Sequence, residues 1–352
     1  MSRAADFEFA SHDSISDAVL ASLADWGSRP ALSVVSPDRP VQLISADDLR
    51  TGVYDVERLL RSWGVRQSVP VALFLENSAD FVILLLALAR IGAVVIPGKL
   101  DWRRMELAEL FENADPQLVI SEESHVEAVS PFLTGRAVAV RRAQGIALVQ
   151  EPGKLPGEAE FPDNVASINY TYRGLGYPLG AMVTHRQYLH GARVLQDGLQ
   201  AEAGEQMLYS IPMTHIFTLV GCILVPLLYG LTGVIARTIH PRLLFQAIHD
   251  LNIQHLTAVP EIYSLLLRAH GESPPPPRCG PLCPAEASCP ANCSRVWGNT
   301  LGWRCCTGTA SPSSRRSVGT PVVRRRRERS VPCATVSTVG STRPIMPKAV
   351  RS

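Results

Sequence analysis

Short apolar runs alternate with amphipathic segments between residues 46 and 120, and this alternation leaves few folds open to the chain. The runs 71–75, 93–96 and 118–120 have the length of buried strands, and the segments between them carry apolar residues at helical spacing. Strands that alternate with helices over short connections form parallel sheets covered on both faces. The predicted fold class is therefore α/β, with doubly wound, mainly parallel sheets flanked by helices.

The chain divides into three parts. Residues 1–14 show no pattern and are expected to be flexible, whereas residues 15–270 carry the α/β pattern as one partial domain. Residues 271–352 contain twelve prolines, no Phe or Tyr, and seven of the eight cysteines. Such a segment cannot bury enough apolar surface to offset its chain entropy, so it is predicted to be a disordered tail.

Three explanations of this tail are open. A zinc site could use Cys279, Cys283, Cys289 and Cys293, although the central spacer is short and no histidine follows residue 270. The run Arg324–Arg327 could bind nucleic acid or another anionic surface without specificity. We favour the third, a reading frame disrupted near codon 270, because a shifted frame in a GC-rich gene yields mainly Arg, Pro, Cys and Ser.

The cellular compartment of the protein is predicted from two features, a signal peptide and a membrane span, that the sequence is not expected to contain. No basic and apolar leader opens the sequence, so no signal peptide is predicted and the cytoplasm is the expected compartment. Ile216–Ala236 has no charged residue, but Pro226 and three glycines interrupt it. We predict a buried helix followed by a strand there, not a membrane span. No specific nucleic-acid partner is predicted either.

A glycine-rich stretch, Ile168–Gly180, holds three glycines and one proline within its last seven residues. The β-rich run Val165–Thr171 leads into it, and a helical pattern begins after Thr184. Strand, glycine loop and helix in this order can present backbone N–H groups to an anion. A tight connection without a ligand explains the glycines equally well. The spacing is neither that of a P-loop nor the dinucleotide fingerprint.

The stretch resembles the phosphate-binding loop of the adenylate-forming superfamily, which includes acyl-CoA synthetases, fatty acyl-AMP ligases and adenylation domains. The usual loop reads roughly Y-T-S-G-T-T-G-x-P-K-G, with T-H a few residues later. The matching residues here are Tyr170-Thr171, Gly174, Gly176, Pro178, Gly180 and Thr184-His185. The segment Gly64–Pro97 is similar to the start of the superfamily's large N-terminal domain, and its residues are predicted to be core.

The resemblance implies that residues of this loop bind the phosphates of ATP, namely Thr171, Arg173, Gly174, Gly176, Gly180, Thr184 and His185. Thr184 and His185 would close the loop. Leu179 stands where the superfamily has a lysine. Arg173 is therefore predicted to supply a substitute positive charge.

Two further segments resemble elements that line the acyl pocket of the superfamily. Ile211–Phe217 is similar to its L-P-x-x-H-x-x-G element, and Leu256–Leu266 is similar to its T-x-x-x-x-V-P segment. The resemblance implies that the acyl substrate contacts His215, Phe217 and Val259. Without the resemblance, His215 would be a hydrogen-bonded core histidine. Ordinary packing explains Val259 equally well.

The resemblance implies carboxylate activation, in which ATP and a carboxylic acid give an acyl-adenylate and pyrophosphate. The implied cofactors are ATP and Mg²⁺, with the thiol of coenzyme A or of a carrier protein as acceptor. The implied substrate is a small carboxylic acid, fatty or aryl, and an acyl carrier protein is an allowed partner. The superfamily's Y-G-x-T-E element and C-terminal catalytic lysine are not readable here. No catalytic residue is assigned, and the chain is expected to be truncated and weak or inactive.

Two alternatives stand beside this hypothesis. A non-catalytic remnant or binding module derived from the same fold is favoured by Leu179 and by the unreadable C-terminal elements. A nicotinamide dehydrogenase is disfavoured, because the glycine spacing is wrong and no acidic ribose ligand follows at the expected distance.

Overall fold

The computed structural model describes residues 14–37, 39–142, 145–150, 161–162, 164–172 and 176–270. The predicted tail, with the cysteines and arginines of its alternative explanations, lies outside these described residues. So do residues 1–13 of the segment predicted to be flexible. Its last residue, Ser14, caps the first helix, and its Oγ accepts a hydrogen bond from the N–H of Asp17 at 3.1 Å.

The described part of the chain is built from helices and short strands in nearly regular alternation. The helices are α1 (Ile15–Ser22), α2 (Ala46–Ser62), α3 (Ala79–Ile91), α4 (Arg104–Ala114), α5 (Val126–Val129), α6 (His185–Leu199), α7 (Val225–Tyr229), α8 (Pro241–Asp250) and α9 (Pro260–His270). The strands are β1 (Pro30–Ser36), β2 (Arg39–Ser45), β3 (Pro70–Phe74), β4 (Val94–Pro97), β5 (Leu118–Glu122), β6 (Ala137–Arg142), β7 (Gly145–Gln150), β8 (Val165–Tyr172), β9 (Pro178–Thr184), β10 (Gln206–Tyr209), β11 (Thr232–Ala236) and β12 (His255–Thr257).

The strands form two mixed sheets. The seven-stranded sheet has the order β7-β6-β5-β3-β4-β8-β9, in which the five inner strands are parallel and the two edge strands are antiparallel. The five-stranded sheet has the order β12-β10-β11-β1-β2, and only β2 runs antiparallel. The predicted α/β fold with mainly parallel sheets is confirmed.

Local signals explain where the first long helices begin and end. Ser45 caps α2, and its Oγ accepts from the N–H of Asp48 at 3.0 Å in a capping box. Ser78 caps α3 through its Oγ, which accepts from the N–H of Phe81 at 3.3 Å. Gly92 ends the helix in the left-handed conformation with φ of +80°. Both helices lie between residues 46 and 120, where the sequence predicted helices alternating with strands.

Three apolar clusters hold the layers together. The largest lies between the two sheets and contains side chains of α1, α2, α3, α6 and α7. A second packs α8 and α9 against the five-stranded sheet, and a third packs α4 and α5 against the seven-stranded sheet. Each fully buried Leu, Ile or Phe contributes roughly 1.5–3 kcal/mol. Helices therefore cover both faces of both sheets. A ligand would have to bind at the ends of the strands.

The uncharged segment Ile216–Ala236 is split into three elements. A π-helix, Thr218–Leu224, leads into α7, which is followed by β11. Within the described residues, no helix combines the length and apolarity that crossing a membrane requires. The predicted buried helix and strand are confirmed, whereas the π-helix, a form often found at functional sites, was not predicted.

Candidate functional site

The glycine-rich stretch forms a hairpin between two strands. β8 enters it and β9 returns antiparallel, with Tyr170 opposite Gly180 and Thr171 opposite Leu179. The predicted strand before the loop is confirmed. The helix predicted after Thr184 is confirmed as α6, but a strand that was not predicted, β9, lies between the loop and this helix. Pro178 and Gly180 are weak strand formers, so pairing with β8 determines the conformation of β9.

The tip of the hairpin is only partly described. Arg173, Gly174 and Leu175 lie outside the described residues, so the phosphate contacts predicted for Arg173 and Gly174 stay predictions. Gly176 has φ of +82°, a conformation that favours glycine. Among the described residues, nothing lies within 4 Å of a Cβ atom placed at Gly176. These residues therefore leave open space beside the described end of the tip.

Gly180 is required by packing inside the hairpin. A Cβ atom there would lie 2.8 Å from Cγ2 of Ile168 and 3.0 Å from Cζ of Tyr170. We expect Gly180→Ala to lower the free energy of unfolding by about 1–3 kcal/mol, because overpacking forces β8 and β9 apart. Urea denaturation measures this change.

A matched glycine provides the control for this prediction. Gly198 lies in α6, and a Cβ atom there would meet nothing within 4 Å. Gly198→Ala is expected to raise the free energy of unfolding by about 0.5–1 kcal/mol, since alanine is the better helix former. Equal effects of the two substitutions would contradict the packing assigned to Gly180.

Thr184 and His185 lie at the other end of the hairpin from its tip. Thr184 pairs with Val165 at the start of β8, and its Oγ1 accepts from the N–H of Gln187 at 3.2 Å as the cap of α6. The length of β9 separates both residues from the tip by roughly 20 Å at about 3.4 Å per residue. The predicted closure of the loop by Thr184 and His185 is therefore not made in this structure.

His185 is buried between α6 and α1. Its Nδ1 accepts a hydrogen bond from the N–H of Ile15 at 3.4 Å. Burial lowers the pKa of His185 to about 4, and the Asp17 carboxylate opposes that effect only in part. The ring is neutral at pH 7 and joins two helices.

The segment Ile211–Phe217 follows β10 and is tied to the seven-stranded sheet by one side chain, Asn77. The Nδ2 of Asn77 donates to the carbonyls of Ile211 at 3.1 Å and Ala236 at 3.3 Å. Its Oδ1 accepts from the N–H of Met213 at 2.8 Å. Asn77 follows β3, and its partners lie at the carboxyl ends of β10 and β11. The carboxyl ends of both sheets meet here, and open α/β sheets bind ligands at such edges.

His215 and Val259 are exposed at this edge, and Phe217 is half-buried. The Nδ1 of His215 accepts from the N–H of Phe217 at 3.2 Å. Partial desolvation, followed by repulsion from the Lys99 ammonium, lowers the pKa of His215. Val259 lies between β12 and α9, and its carbonyl accepts from the N–H of Ile262 at 2.9 Å. His215 is therefore not a core histidine, and a ligand at this edge could reach it.

An ion-pair network holds the carboxyl ends of the strands in place. Arg141 on β6 donates to Asp80 Oδ2 at 2.6 Å and to both carboxylate oxygens of Glu122 at 3.2 Å. Glu122, at the end of β5, also accepts from the N–H of Glu76 at 3.2 Å. Glu76 pairs with Arg237, which follows β11, at 2.6 Å. The network therefore connects the two sheets.

Sequence reasoning missed two side chains at this edge. Asn77 precedes the helix cap Ser78, and nothing local reveals that it binds backbone more than 130 residues away. Lys99 follows β4 and is one of only three lysines in the chain, which was the one available signal. Both residues act through contacts that the tertiary structure creates.

A metal ion such as Mg²⁺ would need oxygen or nitrogen ligands from the protein. Among the described residues, no group of three His, Cys, Asp or Glu side chains could hold a metal ion. Mg²⁺ bound to a nucleotide is held largely by phosphates and water, with one or two carboxylates.

Comparisons with known proteins agree with the fold. A family described as "AMP-binding enzyme" matches residues 21–314 and so runs past residue 270. The 4-coumarate–CoA ligase 3 of Oryza sativa subsp. japonica is 28% identical over 215 residues, which cover 58% of this chain and 39% of the relative. A mitochondrial malonate–CoA ligase of Xenopus laevis is 25% identical over 206 residues, which cover 56% and 36%.

A solved structure shows the same fold. The acyl-CoA synthetase of Brucella canis superposes with a TM-score of 0.68 over 81% of this chain and 55% of that one, at 17% identity. The chain spans less than half the length of the two curated relatives. The resemblance drawn from the glycine-rich stretch is confirmed. Because the family match covers most of its residues, the chain belongs to the family of AMP-binding enzymes.

Proposed function

We propose that this chain binds ATP and a small carboxylic acid and contributes to forming the acyl-adenylate, as part of an acyl-CoA or acyl-AMP ligase. One observation carries the proposal. The glycine hairpin and the segment Ile211–Phe217, called here the His215 segment, lie at the same sheet edge. β8 and β10 both end at this edge, and Asn77 fixes the second segment against the first sheet. Family membership supports the same reaction class.

The proposed reaction joins the two substrates at phosphorus. A carboxylate oxygen of the acid attacks the α-phosphorus of ATP, the bond to the bridging oxygen of the β-phosphate breaks, and pyrophosphate leaves. Negative charge on the phosphate oxygens must be met by N–H groups and cations. The residues proposed to line the phosphates are Thr171, Arg173, Gly174, Gly176 and Gly180. The proposal leaves out Thr184 and His185, because they lie at the far end of β9.

The acyl group would lie against the second segment. His215, Phe217 and Val259 are proposed to contact it, since they follow the carboxyl ends of β10 and β12 at the same edge. The acyl carbon would then be attacked by the thiol of coenzyme A, and AMP would leave. The names of the two curated relatives favour coenzyme A over a carrier protein as acceptor.

Release of pyrophosphate tests the proposal. The chain is mixed with MgATP and, in turn, with 4-coumarate, malonate and a medium-chain fatty acid, and pyrophosphate is measured against a blank without acid. We expect release above the blank with at least one acid. His215→Ala should lower that rate about tenfold or more, because one lost pocket contact has an effect of this size. ATP binding should be unchanged in the variant.

A second candidate function rests on Leu179. It lies partly buried opposite Thr171, where the superfamily has a lysine. A remnant that binds nucleotide without turnover is consistent with this substitution. ATP binding with no pyrophosphate release from any acid would favour the remnant over the ligase.

A further inference from the structure

Lys99 lies beside the glycine hairpin. It follows β4, the strand adjacent to β8. Its Nζ lies 6.0 Å from the centre of the Trp102 ring. Trp102 packs edge-on against Tyr170 of β8, with ring centres 6.1 Å apart. The ammonium is therefore connected to the hairpin through two aromatic rings.

The charge of the same ammonium also acts on His215. After desolvation, it is the second cause that lowers the pKa of that imidazole. Lys99 therefore lies near the hairpin and interacts electrostatically with the segment to which the acyl group is assigned. An ammonium at this position can balance negative charge on phosphates bound at the hairpin.

Two polar groups in this cluster lack partners within the described part of the chain. No Asp or Glu there forms an ion pair with half-buried Lys99, whereas Arg141 and Arg237 at the same edge are both paired. The hydroxyl of Tyr170 has no hydrogen-bond partner there, although the residue is only 6% exposed. Its ring lies over Gly180. Partly desolvated groups of this kind are costly unless a ligand satisfies them.

The hairpin itself is short of positive charge at its described positions. Leu179 stands where the superfamily supplies a lysine, and it is paired with Thr171 inside the sheet. No ammonium can come from that position. Lys99 follows β4, the neighbour of β8 on the side opposite β9, and is a described cation close to the hairpin.

We infer that Lys99 binds a phosphate oxyanion of ATP at the glycine hairpin, in place of the lysine that is absent at position 179. The inference deepens the proposed function and rests on it for the identity of the oxyanion. The ammonium acts as a point charge, so an arginine at position 99 retains part of the effect.

Calorimetric titration of the full chain with inorganic pyrophosphate and with MgATP tests this inference. Lys99→Gln is expected to weaken both dissociation constants by about tenfold to a hundredfold, the effect of losing one hydrogen bond to a charged group. Lys99→Arg should recover most of the loss. Arg104→Gln, an exposed cation at the start of α4, removes the same charge and should change binding by less than about twofold.

The outcomes separate this inference from the proposed function. Unchanged pyrophosphate affinity in a folded Lys99→Gln variant would overturn it, even if binding of the carboxylic acid were weakened. Failure of the unsubstituted chain to bind either pyrophosphate or MgATP would overturn it as well. Binding that depends on Lys99, without pyrophosphate release from any acid, would refute the ligase function and leave the role of Lys99 supported.

Discussion

Arg141→Met is expected to lower the free energy of unfolding by about 3–5 kcal/mol, because it leaves a buried carboxylate without its partner. The side chains of Arg141 and Glu122 are only 16% and 10% exposed. Burial alone would lower the pKa of Arg141, but the Asp80 and Glu122 carboxylates outweigh it and raise that pKa. Without the guanidinium, Glu122 keeps its hydrogen bond from the N–H of Glu76. The carboxylate of Asp80, the other partner of Arg141, loses the same cation. The fold must then accommodate an unpaired charge.

The next residue along β6 provides the control. Arg142 pairs with Glu123 at 3.0 Å, but these side chains are 47% and 64% exposed. Arg142→Met is therefore expected to change stability by no more than about 0.5 kcal/mol. Urea denaturation at pH 7 compares the two variants. A cost for Arg141→Met no larger than that for Arg142→Met would show that the network does not hold the strand ends.

Acid is expected to destabilise the protein through His185, by roughly 3 kcal/mol in total. The pKa of this histidine is about 4 in the folded protein and about 6.5 when the chain is unfolded. Between these values the unfolded chain binds more protons than the folded one. Stability is therefore unaffected above about pH 6.5 and falls steadily as the pH decreases towards 4.

The variant His185→Asn isolates this effect. Asparagine keeps an acceptor for the N–H of Ile15 but cannot be protonated, so the loss of stability between pH 6.5 and 4 should become smaller. His249, whose side chain is 78% exposed, serves as the control. His249→Asn should retain the pH dependence of the unsubstituted protein. The same slope in His185→Asn as in the unsubstituted protein would contradict the burial assigned to this ring.

The elements that the sequence predicted correctly are those decided by local interactions. Ser45 and Asp48 form a capping box within one turn, and Gly92 ends α3 because it adopts φ of +80°. The run that became β3 is buried at every position, as inner parallel strands are. Such signals lie within a few residues of one another, so they can be read without knowing the fold.

Edge strands and the site depended on distant partners. Pro178–Thr184 has no strong strand pattern and becomes β9 only because β8 offers a free edge. The glycines did indicate a turn, but only the hairpin pairing showed that Thr184 and His185 are far from it. The described end of the tip, at Gly176, is open to a ligand, in agreement with the residue types there.

By itself the sequence determined the α/β class, the main helices, the buried strands and the family, because these follow from periodicity, caps and a motif of contiguous residues. The tertiary structure alone decided that Asn77 binds the segment before His215, that Arg141 joins three strand ends, and that Lys99 lies near the hairpin while its charge acts on His215. Those contacts join residues from different strands, and their strength comes from burial and charge that exist only after the sheets have assembled.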